Sequence, residues 1–272
     1  MYIFANRKKT KNMIPSQRRE KILDLIKEDG QAKVIDLSRL FKVTEVTIRQ
    51  DLEKLEQDGY IVREHGGAYL KNANNDLHDL VMPNQKHHLK EKMMIARKAI
   101  QFIEEGDTII LDSGSTTTEI AKLLMSFNNL TVITNALNIA IMLGAQPGIN
   151  VLVTGGEFKA PTLSLTGQKA ADSFQNLHVD KLFLATAGIA LKSGLTYPGI
   201  SDICVKRAMI ESADEIYLVA DSSKIGKSAF ASLGAISLIN YLITDSKIQS
   251  DDIKLFENYD VKLIIASEDI NS

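Results

Sequence analysis

Apolar positions in the first quarter of the chain recur at helical spacing. Ile22, Leu23, Leu25 and Ile26 form a stripe between Ser16 and Gly30. Val34, Leu37, Leu40 and Phe41 repeat at intervals of three and four, and Ile48, Leu52 and Leu55 do so again before Asp58-Gly59. That spacing gathers side chains on one face of an α-helix, and the Asp-Gly pair is a stop signal. Tyr60–Glu64 then reads as a short strand, His65-Gly66-Gly67 as a turn and Ala68–Leu70 as a return strand. Three helices followed by a hairpin predict a winged helix-turn-helix.

The pattern then changes. Lys71–Gln85 is polar and contains Asn72, Asn74, Asn75, Pro83 and Asn84, which reads as a linker. A helix is expected from about Leu89 to Ile103. Beyond it, short apolar runs alternate with helical stretches: Thr108–Leu111, Thr131–Thr134, Val151–Val153, Leu182–Ala185, Ile216–Ala220, Tyr241–Thr244 and Leu263–Ala266. Buried strands alternating with helices predict a mainly parallel sheet covered on both faces. The expected division is a flexible basic extension over residues 1–14, a DNA-binding domain over 15–71, a linker over 72–88 and an α/β domain over 89–272. Arg7, Lys8, Lys9 and Lys11 make the extension basic, although a start at Met13 is the simpler reading.

A length of 272 residues suits two unequal domains, and 44% hydrophobic with 24% charged residues is ordinary for a globular protein. The single cysteine, Cys204, excludes an intramolecular disulfide framework and favours a reducing cytoplasm. No apolar run approaches a membrane span. The net charge of −2 hides an asymmetry. Residues 1–71 carry fifteen Lys/Arg against eleven Asp/Glu, and the remainder seventeen against twenty-three. A basic first quarter suits an anionic partner, or it is a solvated surface with chance asymmetry.

The sharpest chemistry in that quarter lies in VIDLSRLFKVTEVTIRQDLEKL, residues 34–55. Thr44 can cap the second helix of the pair. With Ile48, Leu52 and Leu55 turned inward, Glu45, Thr47, Arg49 and Gln50 face outward in its first turns. In a helix-turn-helix those positions meet base edges in the major groove, where Arg can bond guanine and Gln adenine. Lys33, before the first helix of the pair, joins the candidates. Arg63, His65, Gly66 and Gly67 belong to the wing, where glycine lets the backbone turn with positive φ and approach a phosphate. An ordinary amphipathic helix and a plain hairpin are the alternatives, weakened by their occurring in register.

A second candidate site follows Thr108–Leu111. Asp112-Ser113-Gly114-Ser115-Thr116-Thr117 joins that strand to a helix. Gly114 permits a tight turn, while helix-start amides, the helix dipole and several hydroxyls face one point. That describes an anion site or a hydroxyl-rich helix cap. It is not a Walker loop, because no Gly-Lys-Ser/Thr follows. Thr134-Asn135 and Gly155-Gly156 end the next two strands, and ligands of open α/β sheets bind beyond the carboxyl ends of strands. Lys206, Lys224 and Asp221, taken singly, read as surface charges. His65, His78, His87, His88 and His178 have no zinc spacing with Cys204, so neither metal nor cofactor is expected.

The strings VTEVTIRQDLEKLE and REHGGA resemble the DeoR family of bacterial transcription regulators. So, in family order, do LDSGSTTTEIAKLL, VITNALNIA, VTGGEF, SLTGQKA, DKLFLATAGI, VKRAMIESADE, ADSSKIGKSAF and LITD. The similarity runs from about Pro15 to Ala266. Thr44 stands where the family commonly has Ser, which preserves the cap. Gln50 stands where a second basic residue is common, so the operator sequence does not carry over. The resemblance implies a Rossmann-like sensor domain similar in fold to ribose-5-phosphate isomerase, binding a phosphorylated sugar. It assigns Gly188, Lys206, Asp221 and Lys224, with Asp112–Thr117, Thr134, Asn135, Gly155 and Gly156, to that effector. It also implies a repressor of a carbohydrate operon, double-stranded operator DNA as partner, and an even-numbered homo-oligomer matching a twofold operator. The competing class is a sugar-phosphate isomerase. Related isomerases carry an Asp-Gly-Ala-Asp string after a central strand, where this chain has Thr186-Ala187-Gly188-Ile189, and Asp180 lies at that strand's other end. Without that base, binding without turnover is expected, and no catalytic residue is assigned.

Overall fold

The structure is a computed structural model that describes residues 14–29, 31–64, 66–71 and 87–267. The basic arm, His65 at the wing tip and nearly all of the expected linker lie outside the described residues. The chain divides into two units, Met1–Pro83 and Asn84–Ser272.

The first unit holds α1 (Pro15–Asp29), β1 (Gln31–Lys33), α2 (Val34–Phe41), α3 (Glu45–Gln57), β2 (Ile61–Glu64) and β3 (Gly67–Leu70). The helical stripes meet as expected: Ile22 and Ile26 of α1, Val34 and Leu37 of α2, and Ile48, Leu52 and Leu55 of α3 share one core with Ile61 and Ala68. Lys42 takes a left-handed conformation, φ 53°, which ends α2 and turns the chain towards α3. The wing has a third strand that the pattern did not reveal, since β1 pairs with β3. Gly67 serves this pairing: a Cβ there would lie 2.6 Å from the Ala32 carbonyl oxygen. Positive φ, expected at both wing glycines, is found at Gly66, φ 86°. Asp51, buried on α3, pairs with Arg18 and, at 3.6 Å, with Arg19 of α1.

The second unit is built on a seven-stranded sheet in the order β15-β14-β12-β9-β4-β5-β6. Its strands are β4 (Thr108–Leu111), β5 (Leu130–Thr134), β6 (Ile149–Val153), β9 (Val179–Leu184), β12 (Ala213–Val219), β14 (Tyr241–Asp245) and β15 (Lys262–Ala266), and all neighbours run parallel. Alternate side chains feed two cores. Ile109 and Leu111 of β4 pack with α4 (Leu89–Ala99), α5 (Ser115–Leu124) and α6 (Leu137–Gly144). Ile110 packs on the other face with α7 (Gln168–Asp172), α8 (Ile200–Glu211) and α9 (Ser250–Glu257). Two small antiparallel additions, a hairpin of β7 (Glu157–Lys159) with β8 (Ser164–Thr166) and a sheet of β10 (Gly188–Ala190), β11 (Gly194–Tyr197) and β13 (Ala231–Gly234), are absent from the sequence reading.

The strand order reverses at β4. The chain runs outward to β5 and β6 on one side, then returns to β9 and builds the other side. The crevice beyond the carboxyl ends of β4 and β9 is therefore the topological switch point, the usual ligand position in open α/β sheets.

Asp51 is the test of the first unit. Removing one partner of a buried ion pair leaves the other charge uncompensated and costs about 3–5 kcal/mol. Asp51→Ala should lower the unfolding free energy of this unit by about 3 kcal/mol in urea titration. A loss under about 1 kcal/mol, the value of an exposed pair, would show that the pair does not hold α1 on α3.

Candidate functional site

On α3 the outward face is built from the cap. Thr44 Oγ1 accepts the Thr47 amide at 3.2 Å, and the two hydroxyls lie 2.9 Å apart. Arg49 and Gln50 are exposed opposite the buried stripe. The Arg49 guanidinium donates to Glu45 one turn earlier at 2.7 Å. Glu56 accepts the Arg63 amide at 2.8 Å and pairs with its guanidinium, so the wing strand is tied to α3. Arg63 also donates to the Arg49 carbonyl at 3.4 Å. Lys33 is exposed just before α2. The periodicity does not single out Val46, which is 60% exposed in the first turn of α3. An apolar side chain there matches no core, and apolar contacts read the thymine methyl.

In the second unit, Asp112 ends β4 fully buried. Its carboxylate accepts the Ser113 amide at 2.6 Å, the Ala185 amide beyond β9 at 3.0 Å, and the Lys206 ammonium from α8. Burial raises the Asp112 pKa, and Lys206 acts against the rise. Lys206, itself 3% exposed, lies 3.4 Å from Ser113 Oγ and 5.6 Å from the Tyr197 ring centroid. The Tyr197 hydroxyl donates to the Ala185 carbonyl at 2.7 Å, and burial raises its pKa well above the usual value.

The loop beyond Asp112 is held from the other side by Asn135, which accepts the Ser113 amide at 3.1 Å and donates to the Leu165 carbonyl at 3.1 Å. Gly114 is extended, φ 178°, so the bend the chain makes at Ser113-Gly114 does not call on the positive φ open to glycine. Its lack of a side chain matters for another reason: a Cβ would lie 2.7 Å from that of Ala185. The loop can therefore lie against the end of β9. The amides of Ser115, Thr116 and Thr117 open α5, where no intrahelical acceptor exists. Ser113 and Ser115 are half-buried, Thr116 and Thr117 buried. The Thr117 hydroxyl is committed to the Gly114 carbonyl at 3.0 Å, and that of Thr134 to the Leu111 carbonyl at 2.7 Å.

Other candidates lie on neighbouring loops. Gly156 abuts the Thr166 carbonyl, and Gly188 the Lys227 carbonyl, each 2.6 Å from where a Cβ would be. The Gly155 amide donates to Ser173 Oγ at 3.1 Å. Asp221 caps the short turn Ser222–Lys224, accepting the Ser223 amide at 3.1 Å. Near that turn the structure adds Lys92 of α4, only 3% exposed. Burial pulls its ammonium down to about 8, with Lys224 pushing the same way and Asp221, Glu119 and Glu91 opposing. Its spacing to Ile95, Ala96 and Ala99 is that of the buried stripe, and a charge on such a stripe is a sign the sequence did carry.

The DeoR C terminal sensor domain profile matches residues 87–246, and the DeoR-like helix-turn-helix domain profile matches residues 18–74. The chain belongs to the DeoR family. Among its DeoR-family relatives is a putative aga operon transcriptional repressor of Escherichia coli, 34% identical, covering 93% of this chain and 94% of that protein. A glycerol-3-phosphate regulon repressor of Escherichia coli is 30% identical, covering 92% and 99%. The HTH-type transcriptional repressor GlcR of Bacillus subtilis is 32% identical, covering 94% and 98%. Among solved structures, ribose 5-phosphate isomerase A of Methanocaldococcus jannaschii overlays with a TM-score of 0.37 and 16% identity, over 49% of this chain and 53% of that one. At that level the likeness says nothing about chemistry.

The corner around Lys92 makes its own prediction. The ammonium should titrate near pH 8 rather than at the usual lysine value of 10.5. Lys224→Ala should raise the midpoint by removing a like charge, and Asp221→Asn should lower it. NMR of isotopically labelled lysine reads all three, and a Lys92 midpoint indifferent to both changes would separate it from this corner.

Proposed function

We propose that the chain is a cytoplasmic, sequence-specific transcriptional repressor whose hold on operator DNA is released by a phosphorylated sugar. The observation that carries this reading is the pairing in one chain of two sites. One is a capped helix with outward Arg49 and Gln50. The other, in a separate unit, is a helix-start cradle at the switch point of a parallel sheet. Arg49, Gln50 and Val46 read bases, and Arg63 with the Gly66-Gly67 backbone sits against phosphates. The effector's phosphate rests on the amides of Ser115–Thr117, which favour an anion. Lys206, Lys224 and Lys92 supply positive charge. A twofold operator calls for an even-numbered homo-oligomer.

The same geometry favours binding over turnover. A general base must reach a substrate proton. Asp112, the carboxylate at the switch point, is fully buried and ringed by four donors, the Ser113 and Ala185 amides, the Lys206 ammonium and the Ser113 hydroxyl, so no exposed face remains for a substrate. Asp180 accepts the Thr108 amide at 2.7 Å, at the amino end of β4 and so at the opposite edge of the sheet.

Two experiments test the reading. Arg49→Ala should weaken binding to an operator fragment, selected from random duplexes, by about 1–3 kcal/mol. Thermal stability should barely change, since only an exposed pair with Glu45 is lost. Unchanged affinity would remove Arg49 from the interface. For the effector, Ser115 is the position to charge, because Thr116 is buried and a carboxylate there would threaten the fold. Ser115→Glu should still bind the operator but no longer release it when sugar phosphate is added. A variant that still releases DNA would place the phosphate elsewhere.

A further inference from the structure

Two threonine hydroxyls among the described residues are buried with no hydrogen-bond partner, Thr154 Oγ1 and Thr244 Oγ1. Native proteins leave few such groups, and each calls for an explanation. Thr244 lies within β14, beyond β12 from the switch point. Thr154 lies on the cradle's side of the sheet. It follows β6, is 5% exposed, and its amide donates to the Thr134 carbonyl at 3.1 Å. Thr134 pairs with Val153, so Thr154 stands level with Asn135 at the carboxyl edge. In-register neighbours of a parallel pair point to the same face. The Asn135 side chain reaches the cradle loop at Ser113 in one direction and β8 at Leu165 in the other. The β7–β8 hairpin springs from just beyond Thr154, and the Lys159–Asp202 pair, 3.0 Å, ties it to α8. Ser113 and Ser115 are half-buried and Gly155 is exposed, so the edge is approachable on either side of the covered hydroxyl.

We propose that Thr154 contacts the effector and receives a hydroxyl of a sugar phosphate of five or six carbons. The inference rests on the sugar-phosphate reading above and narrows it. β4 and β6 flank β5, so their ends lie two interstrand spacings apart, about 10 Å. A phosphate on the helix start after β4 leaves Thr154 beyond the reach of a three-carbon polyol phosphate. The far hydroxyls of a pentose or hexose phosphate reach it. A threonine hydroxyl both donates and accepts, as a sugar hydroxyl does. A site built to bond a hydroxyl discriminates against ligands that lack one there.

The test uses full-length wild type, Thr154→Val and Thr154→Ser in calorimetric titrations with ribose 5-phosphate, fructose 6-phosphate, glycerol 3-phosphate and inorganic phosphate. Wild type should bind at least one of the two sugar phosphates more tightly than glycerol 3-phosphate. Thr154→Val should weaken that binding by about tenfold, the worth of one hydrogen bond. It should leave glycerol 3-phosphate and phosphate unchanged, and Thr154→Ser should restore the loss. Ligand-free Thr154→Val should melt no lower than wild type, since it removes only an unpaired hydroxyl. Sugar-phosphate affinity unchanged in the valine variant overturns the proposal and leaves the repressor reading intact. So does an equal loss for every ligand with a lower melting temperature, which marks a structural role, or glycerol 3-phosphate binding as tightly as the sugars. Wild type binding none of the four compounds sinks both the proposal and the reading beneath it.

Discussion

The sensor unit depends on where one carboxylate is buried. Asp112 sits where β4 and β9 diverge, the place at which a parallel sheet leaves strand-end amides without partners. It accepts from the amide beyond β9, from the first amide of its own loop and from Lys206. Those bonds join the two halves of the sheet, fix the loop that leads into α5, and hold α8 by its lysine. A charge so placed is tolerable only because it is paired and hydrogen-bonded. The constraint extends to Gly114, which must lie against Ala185 for the loop to reach α5, and to Asn135, which holds the loop's other side. The candidate ligand groups, half-buried Ser113 and Ser115 and the helix-start amides, are positioned by this pair.

The first unit uses the same device on a smaller scale. Asp51 projects into the interface of α1 and α3 and is met there by Arg18 and Arg19. Apolar burial alone would allow the helices to settle in neighbouring registers. A buried pair permits one arrangement, and with it one direction for the outward face that carries Arg49 and Gln50.

Much of this was legible from periodicity. The three N-terminal helices, the return strand of the wing and all seven strands of the main sheet follow from helical stripes and short buried runs, because each buries a continuous face. What escaped was of two kinds. β1, β7, β8, β10, β11 and β13 are three or four residues long and stand outside the strand–helix alternation; β7 with β8 and β10 with β11 are local hairpins, while β1 with β3 and β11 with β13 pair across long stretches of chain, as between Leu195 and Gly234. The buried charges escaped because a partner defines them: Asp51 finds Arg18, and Asp112 finds Lys206, far along the chain. The sequence did carry a sign of two of them. Asp51 lies three residues after Ile48 and one before Leu52, and Lys92 three before Ile95, each a charge at the border of or on an apolar stripe. The candidate site was legible as loops, through glycine and hydroxyl content, but not as geometry. Thr117 and Thr134 supply hydroxyls that the backbone already uses, while Thr154, unremarked in sequence, holds one that nothing uses.

A sensor shifts an equilibrium only if its ligand binds the two conformations with different affinity. The most economical place for that difference is an element that both the ligand and the path to the other domain share. Under the proposed function, helix α4 is the element placed to meet the requirement. It begins at Leu89, directly after the stretch that joins the two units, and its first turn carries Lys92 and Glu91. Glu91 pairs with Lys247 beyond β14, and burial near Lys224 has already weakened the hold of Lys92 on its proton. With the phosphate on the α5 start, as proposed above, the charged form of Lys92 would be favoured and the first turn of α4 drawn towards the site. The free energy of ligand binding is then spent on the segment through which the sensor is connected. A phosphate on the α5 start that left Lys92 unengaged would leave that segment untouched.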